Sequence, residues 1–301
     1  INGDTVYEYW KPRARVWKGN YKLKANMGEK YHIVVEYLQN TDMAVINFDI
    51  NHRAVSNVDD VIAQANNADV VVFVGGISPY LEGEEMKVNE PGFNGGDRTD
   101  IELPQPQRDI ITALHNAGKK VVFVNCSGGA VGLEPESKNA DAILQAWYPG
   151  QAGGTAVANV LLGDYNPSGK LPFTFPVCLE DVGAHKLGEY PGTPRNDGSN
   201  IVDEKYNESI FVGYRWTDKE KITPLFPFGH GLSYTSYKYG KAVIDKNIMG
   251  DDEVLTVTVP ITNIGMRAGS EIVQMYISDL KSSLPRPVKE LKGFSKVRLA
   301  P

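Results

Sequence analysis

Two uninterrupted apolar runs, Val70-Val71-Val72-Phe73-Val74 and Val121-Val122-Phe123-Val124, constrain the fold of this chain more than any other feature. An unbroken run of β-branched and aromatic residues suits a strand covered on both faces, as in a parallel sheet. Helical spacing precedes each run. Val58, Val61, Ile62 and Ala65 come before the first, and Ile110, Ile111, Leu114 and Ala117, within 104–119, come before the second. A third short strand is predicted over 142–147. After Gly153-Gly154 a further helix turns Ala156, Val157, Val160 and Leu161 inward and stops at Gly163. This alternation predicts an open, mostly parallel α/β sandwich with helices on both faces of its sheet. Ligands of such sheets sit beyond the carboxyl ends of the strands. The long loop 75–100, which leaves the first strand there, is therefore the first place to look for chemistry.

The flanks read differently. Within 1–50, the stretches 31–37 and 43–48 are rich in β-branched and aromatic residues between turn signals, which predicts antiparallel strands too few to close a sandwich alone. Residues 178–235 hold many Gly, Pro and aromatic residues without a long periodic segment and read as an irregular connector. From about 237 the pattern is β again: Leu255, Val257, Val259 and Ile261 alternate with other residues, and 271–277 looks like the next strand. This suits the first half of an immunoglobulin-like sandwich, which needs about 100 residues. The sequence thus predicts α/β architecture flanked by partial all-β segments, with both ends falling inside domains. The expected divisions are 1–52, 53–177, 178–236 and 237–301.

Of 301 residues, 42% are hydrophobic and 23% charged, enough for a sizeable core. The formal net charge of −6 argues against nucleic acid and anionic membrane surfaces as partners. No run of about 18 apolar residues suggests a membrane span, and the opening Ile-Asn-Gly-Asp does not read as a signal peptide. Cys126, at the end of the second apolar run, reads as a small buried hydrophobe.

The richest chemistry lies in Tyr80-Leu81-Glu82-Gly83-Glu84-Glu85-Met86, followed by Gly95-Gly96-Asp97-Arg98. Crowded carboxyl groups repel, which raises the pKa of at least one of them, the condition a general acid needs near working pH. A solvated acidic loop or a calcium-binding loop has the same composition, although the EF-hand spacing is absent. Asp97-Arg98 is a candidate ion pair to orient the loop. Asn125-Cys126-Ser127-Gly128-Gly129 follows a strand, but Asn125 stands where a nucleophile elbow has its first Gly. There is no phosphate-binding loop, no G-x-G-x-x-G after a strand, no H-E-x-x-H and no C-x-x-C, so no cofactor or metal is expected. His230, in Phe228-Gly229-His230-Gly231, reads as part of a structural turn. Asn207-Glu208-Ser209 forms a glycosylation triplet of low specificity. Trp147-Tyr148, after the third strand, suits either stacking on a sugar or core packing at a turn.

Three motifs in order across about 160 residues resemble glycoside hydrolase family 3. They are Leu81-Glu82-Gly83-Glu84-Glu85 with Gly96-Asp97-Arg98 and Leu103-Pro104; Trp147-Tyr148-Pro149-Gly150-Gln151-Ala152-Gly153-Gly154 running on to Asn166-Pro167-Ser168-Gly169-Lys170-Leu171-Pro172; and Phe211-Val212-Gly213-Tyr214-Arg215 leading to Pro227-Phe228-Gly229-His230-Gly231-Leu232-Ser233-Tyr234. The resemblance covers roughly 58–235, the family's α/β domain. The tail from 237 is similar to the family's fibronectin-type-III-like domain, and 1–50 to the end of a protective-antigen-type β-domain that some members insert.

The resemblance implies a retaining, exo-acting β-glycosidase acting on β-linked oligosaccharides or glycosides, glucosides or xylosides. It implies an aspartate nucleophile on an N-terminal (β/α)₈ barrel, and an acid/base Glu on a loop of the α/β domain. It suggests a secreted or periplasmic setting. Glu84, just after Gly83, fits the acid/base best, and Glu82 is the second choice. Eleven residues separate Glu85 from Asp97, which leaves Glu82, Glu84 and Glu85 open for that role. Substrate-binding residues are not identified. With no barrel in the sequence, the chain alone is expected to be inactive. A noncatalytic carbohydrate-binding or structural module is the alternative. A phosphorylase-like variant would favour a His in place of the acid, and the loop 77–100 has none.

Overall fold

The structure, a computed structural model, describes residues 1–10, 19–38, 46, 48–50, 57–83, 88, 90–94 and 97–301. The chain divides into two compact units, Ile1–Val55 and Ser56–Pro301. In the first unit, the expected strand 31–37 joins no ladder among the described residues. Around His32 the backbone instead meets Asn2: the Asn2 N–H donates to the His32 carbonyl, and the His32 N–H donates to the Asn2 side chain, each at 2.8 Å. Val34, Val35, Tyr37 and Leu38 remain exposed. Strand propensity takes effect where a neighbour takes up the hydrogen bonds and a surface covers the side chains, and no described residue pairs with this stretch as a strand. Of the second expected strand, 43–45 and 47 lie outside the described residues.

The second unit is built on a three-stranded parallel sheet in which 120–126 lies between 70–76 and 142–145. Its first half runs α1 (Val58–Gln64), β1 (Val70–Gly76), α2 (Pro79–Glu82), β2 (Phe93–Asn94), β3 (Asp97–Arg98), α3 (Gln105–Asn116), β4 (Lys120–Cys126), α4 (Glu134–Asn139), β5 (Ala142–Gln145) and α5 (Gly153–Leu162). Asn57 caps α1 through the Asp60 N–H at 2.8 Å, and Gly163, at φ 82°, ends α5 in the left-handed conformation that glycine adopts without strain.

In-register pairing puts Phe73, Phe123 and Ile143 side by side on one face. That face meets Ile111 and Leu114 of α3, with Ala65, Leu103, Val131 and Leu133 completing the core. Burying Phe123 completely, as here, is worth about 1.5–3 kcal/mol. On the opposite face, Leu144 shares an apolar groove of about 450 Å³ with Ala156, Val157 and Val160 of α5.

The expectation that the first strand is covered on both faces is not met. Val70, Val72 and Val74 are 47, 48 and 64% exposed, while Val124 at the centre of the sheet is buried. β1 is the outer strand, and no described helix lies over its second face.

Beyond α5 come α6 (Gly183–Lys186), the hairpin of β6 (Thr193–Pro194) and β7 (Val202–Asp203), and α7 (Tyr214–Glu220). The β-rich tail holds β8 (Tyr237–Tyr239), β9 (Val243–Ile244), β10 (Val257–Thr258), β11 (Ile261–Asn263), β12 (Gly269–Ile277) and β13 (Glu290–Leu299). The alternating stretch 255–261 is divided between two pairings, β10 with β9 and β11 with β8. Pro260, which has no N–H to give to a ladder, stands at the division. β12 and β13 form a long antiparallel pair with a bulge at Met275/Tyr276. Asn166 ties the tail to the end of α5. It accepts from Ser233 Oγ and the Tyr234 N–H at 2.9 and 2.7 Å and donates to the Ala268 carbonyl at 3.0 Å.

Candidate active site

The carboxyl end of β1 is fixed before the loop begins. Gly76 sits at φ 121°, a region closed to other residues, and a Cβ there would lie 2.6 Å from the Cys126 carbonyl carbon. Gln107 of α3 clamps the same residue: the Gly76 N–H donates to Oε1 at 2.7 Å, and Nε2 donates to the Gly76 carbonyl at 2.8 Å. The Ile77 N–H then bonds the Cys126 carbonyl, and the chain turns into α2, capped by Ser78 Oγ on the Leu81 N–H with Pro79 in the first turn. Gly83, left-handed at φ 60°, ends that helix. Glu82, its last residue, is thereby set beyond the carboxyl ends of the sheet.

Tyr148 meets it there from the carboxyl side of β5. The Tyr148 hydroxyl donates a hydrogen bond to Glu82 Oε2. Burial, and then this bond, push the tyrosine up to about 12, while the backbone N–H of Gly128 and the charge of Arg98 oppose the shift. Trp147, one residue earlier, adopts φ 58°, an uncommon conformation for a bulky residue. Its indole is held edge-on to Phe173 and Phe175 at 5.3 and 6.2 Å. Of the two roles open to Trp147 from sequence, core packing is the one it has.

Arg98 approaches from β3. Its guanidinium lies over the Phe93 ring at 5.5 Å, and Nη2 donates to the Glu102 carbonyl at 2.9 Å. Nε is buried without a hydrogen-bond partner among the described residues. Burial pulls this guanidinium below its ordinary range, against the pull of Asp100, Glu82 and Glu102. Glu84 and Glu85 lie outside the described residues, as does the side chain of Asp97. Of the three carboxylates in the motif, Glu82 is thus the one whose surroundings are described.

Ser127 is no nucleophile. It is 1% exposed, its hydroxyl donates to the Gly129 carbonyl at 3.0 Å, and the amides of Asn125 and Gln145 donate to it at 3.2 Å. Cys126 is half-buried rather than buried, and burial raises its thiol. His230 fills the turn expected of it. Its N–H bonds the Pro227 carbonyl, and its ring stacks on Phe226 at 5.4 Å. No cluster of three or more potential metal ligands occurs among the described residues. No described helix is long and apolar enough to cross a membrane.

Sequence reasoning missed the framework beneath the site. Arg108 of α3 bonds Glu136 at 2.9 and 3.3 Å, Glu102 at 2.6 Å and the Gly132 carbonyl at 2.9 Å. The adjacent Gln107-Arg108, polar residues inside an amphipathic helix, are the signal that was available.

The parallel sheet with helices packed on it, and a carboxylate with its hydrogen-bonding partner at the carboxyl ends of the strands, define an α/β sandwich domain. Residues 11–234 match the glycosyl hydrolase family 3 C-terminal domain, and 271–301 match a fibronectin type III-like domain. The chain is 44% identical over 276 residues to a xylan 1,4-beta-xylosidase of Xylanibacter ruminicola, covering 91% of this chain and 29% of that protein. It is 46% identical over 245 residues to beta-glucosidase BoGH3A of Bacteroides ovatus, covering 81% and 31%. It is 40% identical over 244 residues to a periplasmic beta-glucosidase of Salmonella typhimurium, covering 81% and 29%. Among solved structures, a β-glucosidase of Bifidobacterium adolescentis superposes with a TM-score of 0.69 at 34% identity, covering 81% of this chain and 33% of that one. The chain belongs to glycosyl hydrolase family 3. It spans about a third or less of the length of these relatives.

Proposed function

We propose that this chain is the C-terminal part of a retaining, exo-acting β-glycosidase, a β-glucosidase or β-xylosidase, and that it supplies the acid/base carboxyl group. The observation that carries the reading is the place of the acidic loop, which leaves the carboxyl end of β1 where Gly76 and Gln107 fix it, with its Glu82 bonded by Tyr148. The nucleophile belongs to a (β/α)₈ barrel that docks against this end of the sheet. Retaining hydrolysis needs the two carboxyl groups about 5–5.5 Å apart. The substrate is a β-linked glycoside or oligosaccharide, and a secreted or periplasmic setting follows the Salmonella relative. The domains 1–52, 53–177, 178–236 and 237–301 are proposed as an inserted β-domain, the α/β sandwich, a connector packed on it, and a fibronectin-III-like domain.

Glu84, the first choice by its place after Gly83, and Glu82, the second choice, are separated by one experiment. In an enzyme that joins this chain to its barrel, Glu82→Ala and Glu84→Ala are assayed on phenyl and dinitrophenyl β-glycosides. The acid/base variant loses about 10²–10⁴-fold on the phenyl glycoside, which needs a proton on its leaving oxygen. It is restored on the activated one by added azide. If neither variant shows this split, the acid/base role does not reside in this loop.

A further inference from the structure

Glu189 and Glu208 bring two carboxyl groups together with no counter-charge between them. Glu189 follows α6, where its N–H bonds the Ala184 carbonyl at 2.8 Å and its side chain is turned inward, only 6% exposed. Its Oε1 accepts from the Asn207 N–H at 3.0 Å. The half-buried Glu208 comes from the turn ahead of α7 in which the Ser209 N–H bonds the Tyr206 carbonyl at 3.0 Å. Its carboxyl group lies within hydrogen-bonding reach of that of Glu189. The Oε2 atom of each is buried and has no hydrogen-bond partner among the described residues. Two carboxylates are acceptors only, so neither satisfies the other. The positive groups nearby are committed elsewhere. Lys186 reaches Glu220 at 4.0 Å, Arg195 holds Asp203 at 2.6 Å, the His185 ring rests against Tyr190 at 5.5 Å, and Lys205 is exposed. Burial raises the Glu189 carboxyl, but its contacts with Glu208 and with the N–H groups of Asn207 and Glu208 outweigh burial and hold it below its ordinary 4.5. Glu189 is therefore an anion at neutral pH, and a buried anion that faces a second carboxyl group is costly unless a positive charge joins them.

We infer that Glu189 and Glu208 bind a calcium ion through their Oε2 atoms, and that the ion staples the base of the loop 190–205. The inference does not rest on the acid/base reading. The side-chain donors are oxygens, which select a hard cation, and two carboxylates match the charge of a divalent one. Calcium takes six to eight oxygens in irregular geometry, so main-chain carbonyl and water oxygens can complete its shell, whereas magnesium demands a near-ideal octahedron. With two side-chain ligands, fewer than a cluster of three, the site falls in the weak class of extracellular modules, with Kd of about 10⁻⁴–10⁻³ M. The loop closed by the ion carries the β6–β7 hairpin and the half-exposed Arg195. Without the ion the two carboxyl groups repel, and the base of the loop is free to open.

The test uses the 301-residue chain, freed of metal with a chelator and titrated by calorimetry with calcium chloride and, separately, magnesium chloride. Its urea unfolding and its cleavage by trypsin after Arg195 are followed with and without calcium. One calcium ion per chain should bind. At about 10 mM calcium the unfolded fraction should fall about 10–100-fold, and cleavage after Arg195 should slow. Glu189→Gln and Glu208→Gln should each abolish binding, and Glu180→Gln, at an exposed carboxylate outside the pair, should leave it intact. Glutamine still offers an oxygen to the Asn207 N–H, so the Glu189 variant keeps that bond. In chelator, Glu208→Gln should be at least as stable as the parent, because its amide donates to Glu189 and removes the like charge. In calcium that order should reverse, which a carboxyl group with a merely structural role would not produce. No binding at about 10 mM calcium, or binding that survives both substitutions, refutes the site. Equal affinity for magnesium overturns the choice of calcium. A Glu208→Gln variant more stable than the parent in both conditions would mean that the pair holds a proton in place of the ion, and also refutes the inference.

Discussion

Replacing Arg108 with Met should destabilise this protein more than almost any other single change on α3. Arg108 is the partner of Glu136, a carboxylate only 1% exposed, which it holds through two bonds at 2.9 and 3.3 Å. It also closes on Glu102 at 2.6 Å and on the Gly132 carbonyl at 2.9 Å. Methionine fills much of the same space but leaves Glu136 charged and unpaired inside the protein. Removing one member of a buried pair costs about 3–5 kcal/mol. That is a large share of the roughly 5–15 kcal/mol that holds a domain folded. At about 2–4 °C per kcal/mol for a unit of this size, the midpoint should fall by roughly 6–20 °C. The assay is thermal and urea unfolding followed by near-ultraviolet circular dichroism. The double variant Arg108→Met/Glu136→Leu should regain most of the loss, because it removes the stranded charge along with its partner. If each single variant costs under about 1 kcal/mol and the double variant is merely additive, the pair is screened by water and the reasoning fails.

Three further outcomes follow from the same packing. Gly76→Ala should abolish soluble expression or lower the midpoint sharply, since its φ of 121° and the Cys126 backbone both exclude a Cβ; a fully stable variant would contradict that backbone. Val72→Thr, on the exposed face of β1, should change stability by less than about 0.5 kcal/mol, whereas Phe123→Ala, on the covered face, should cost about 3–5 kcal/mol; equal costs in urea unfolding would mean that both faces are buried. Burial and then Lys170 hold His230 below its ordinary value of 6.5. The unfolded chain therefore binds the proton more readily, and the stability His230 contributes is present above about pH 6.5 and lost as pH falls through its folded value. His230→Phe should flatten that acid slope in urea midpoints measured against pH, and an unchanged slope would remove His230 as its source.

The sheet was legible because its signal is local. The runs at 70–74 and 121–124, with helical spacing before each, specify strand, crossover helix and parallel partner without reference to anything distant. The cover over a strand is not local, and the exposure of Val70, Val72 and Val74 depends on what stands beside β1. The same limit applies to 31–37, whose residues favour a strand yet find no ladder among the described residues. At the site, the acidic loop stood out by composition and by its exit from β1. Tyr148 stood out only as an aromatic near a strand end, because a hydrogen bond between residues 82 and 148 leaves no periodic trace. Gln107 and Arg108 stood out only as polar residues inside an amphipathic helix, because their partners Gly76 and Glu136 lie more than twenty positions away.

The central claim, that this chain holds one half of a two-carboxyl active site, is tested most directly by nitrophenol release from aryl β-glucoside and β-xyloside. The 301-residue chain is assayed first alone, with its intact mass checked in the same tube, and then joined to a nucleophile-bearing barrel of the family. The account predicts no turnover above background from the chain alone and clear turnover from the joined enzyme. Turnover by the chain alone, at its full mass and free of contaminating glycosidase, would contradict it by placing both carboxyl groups within these residues.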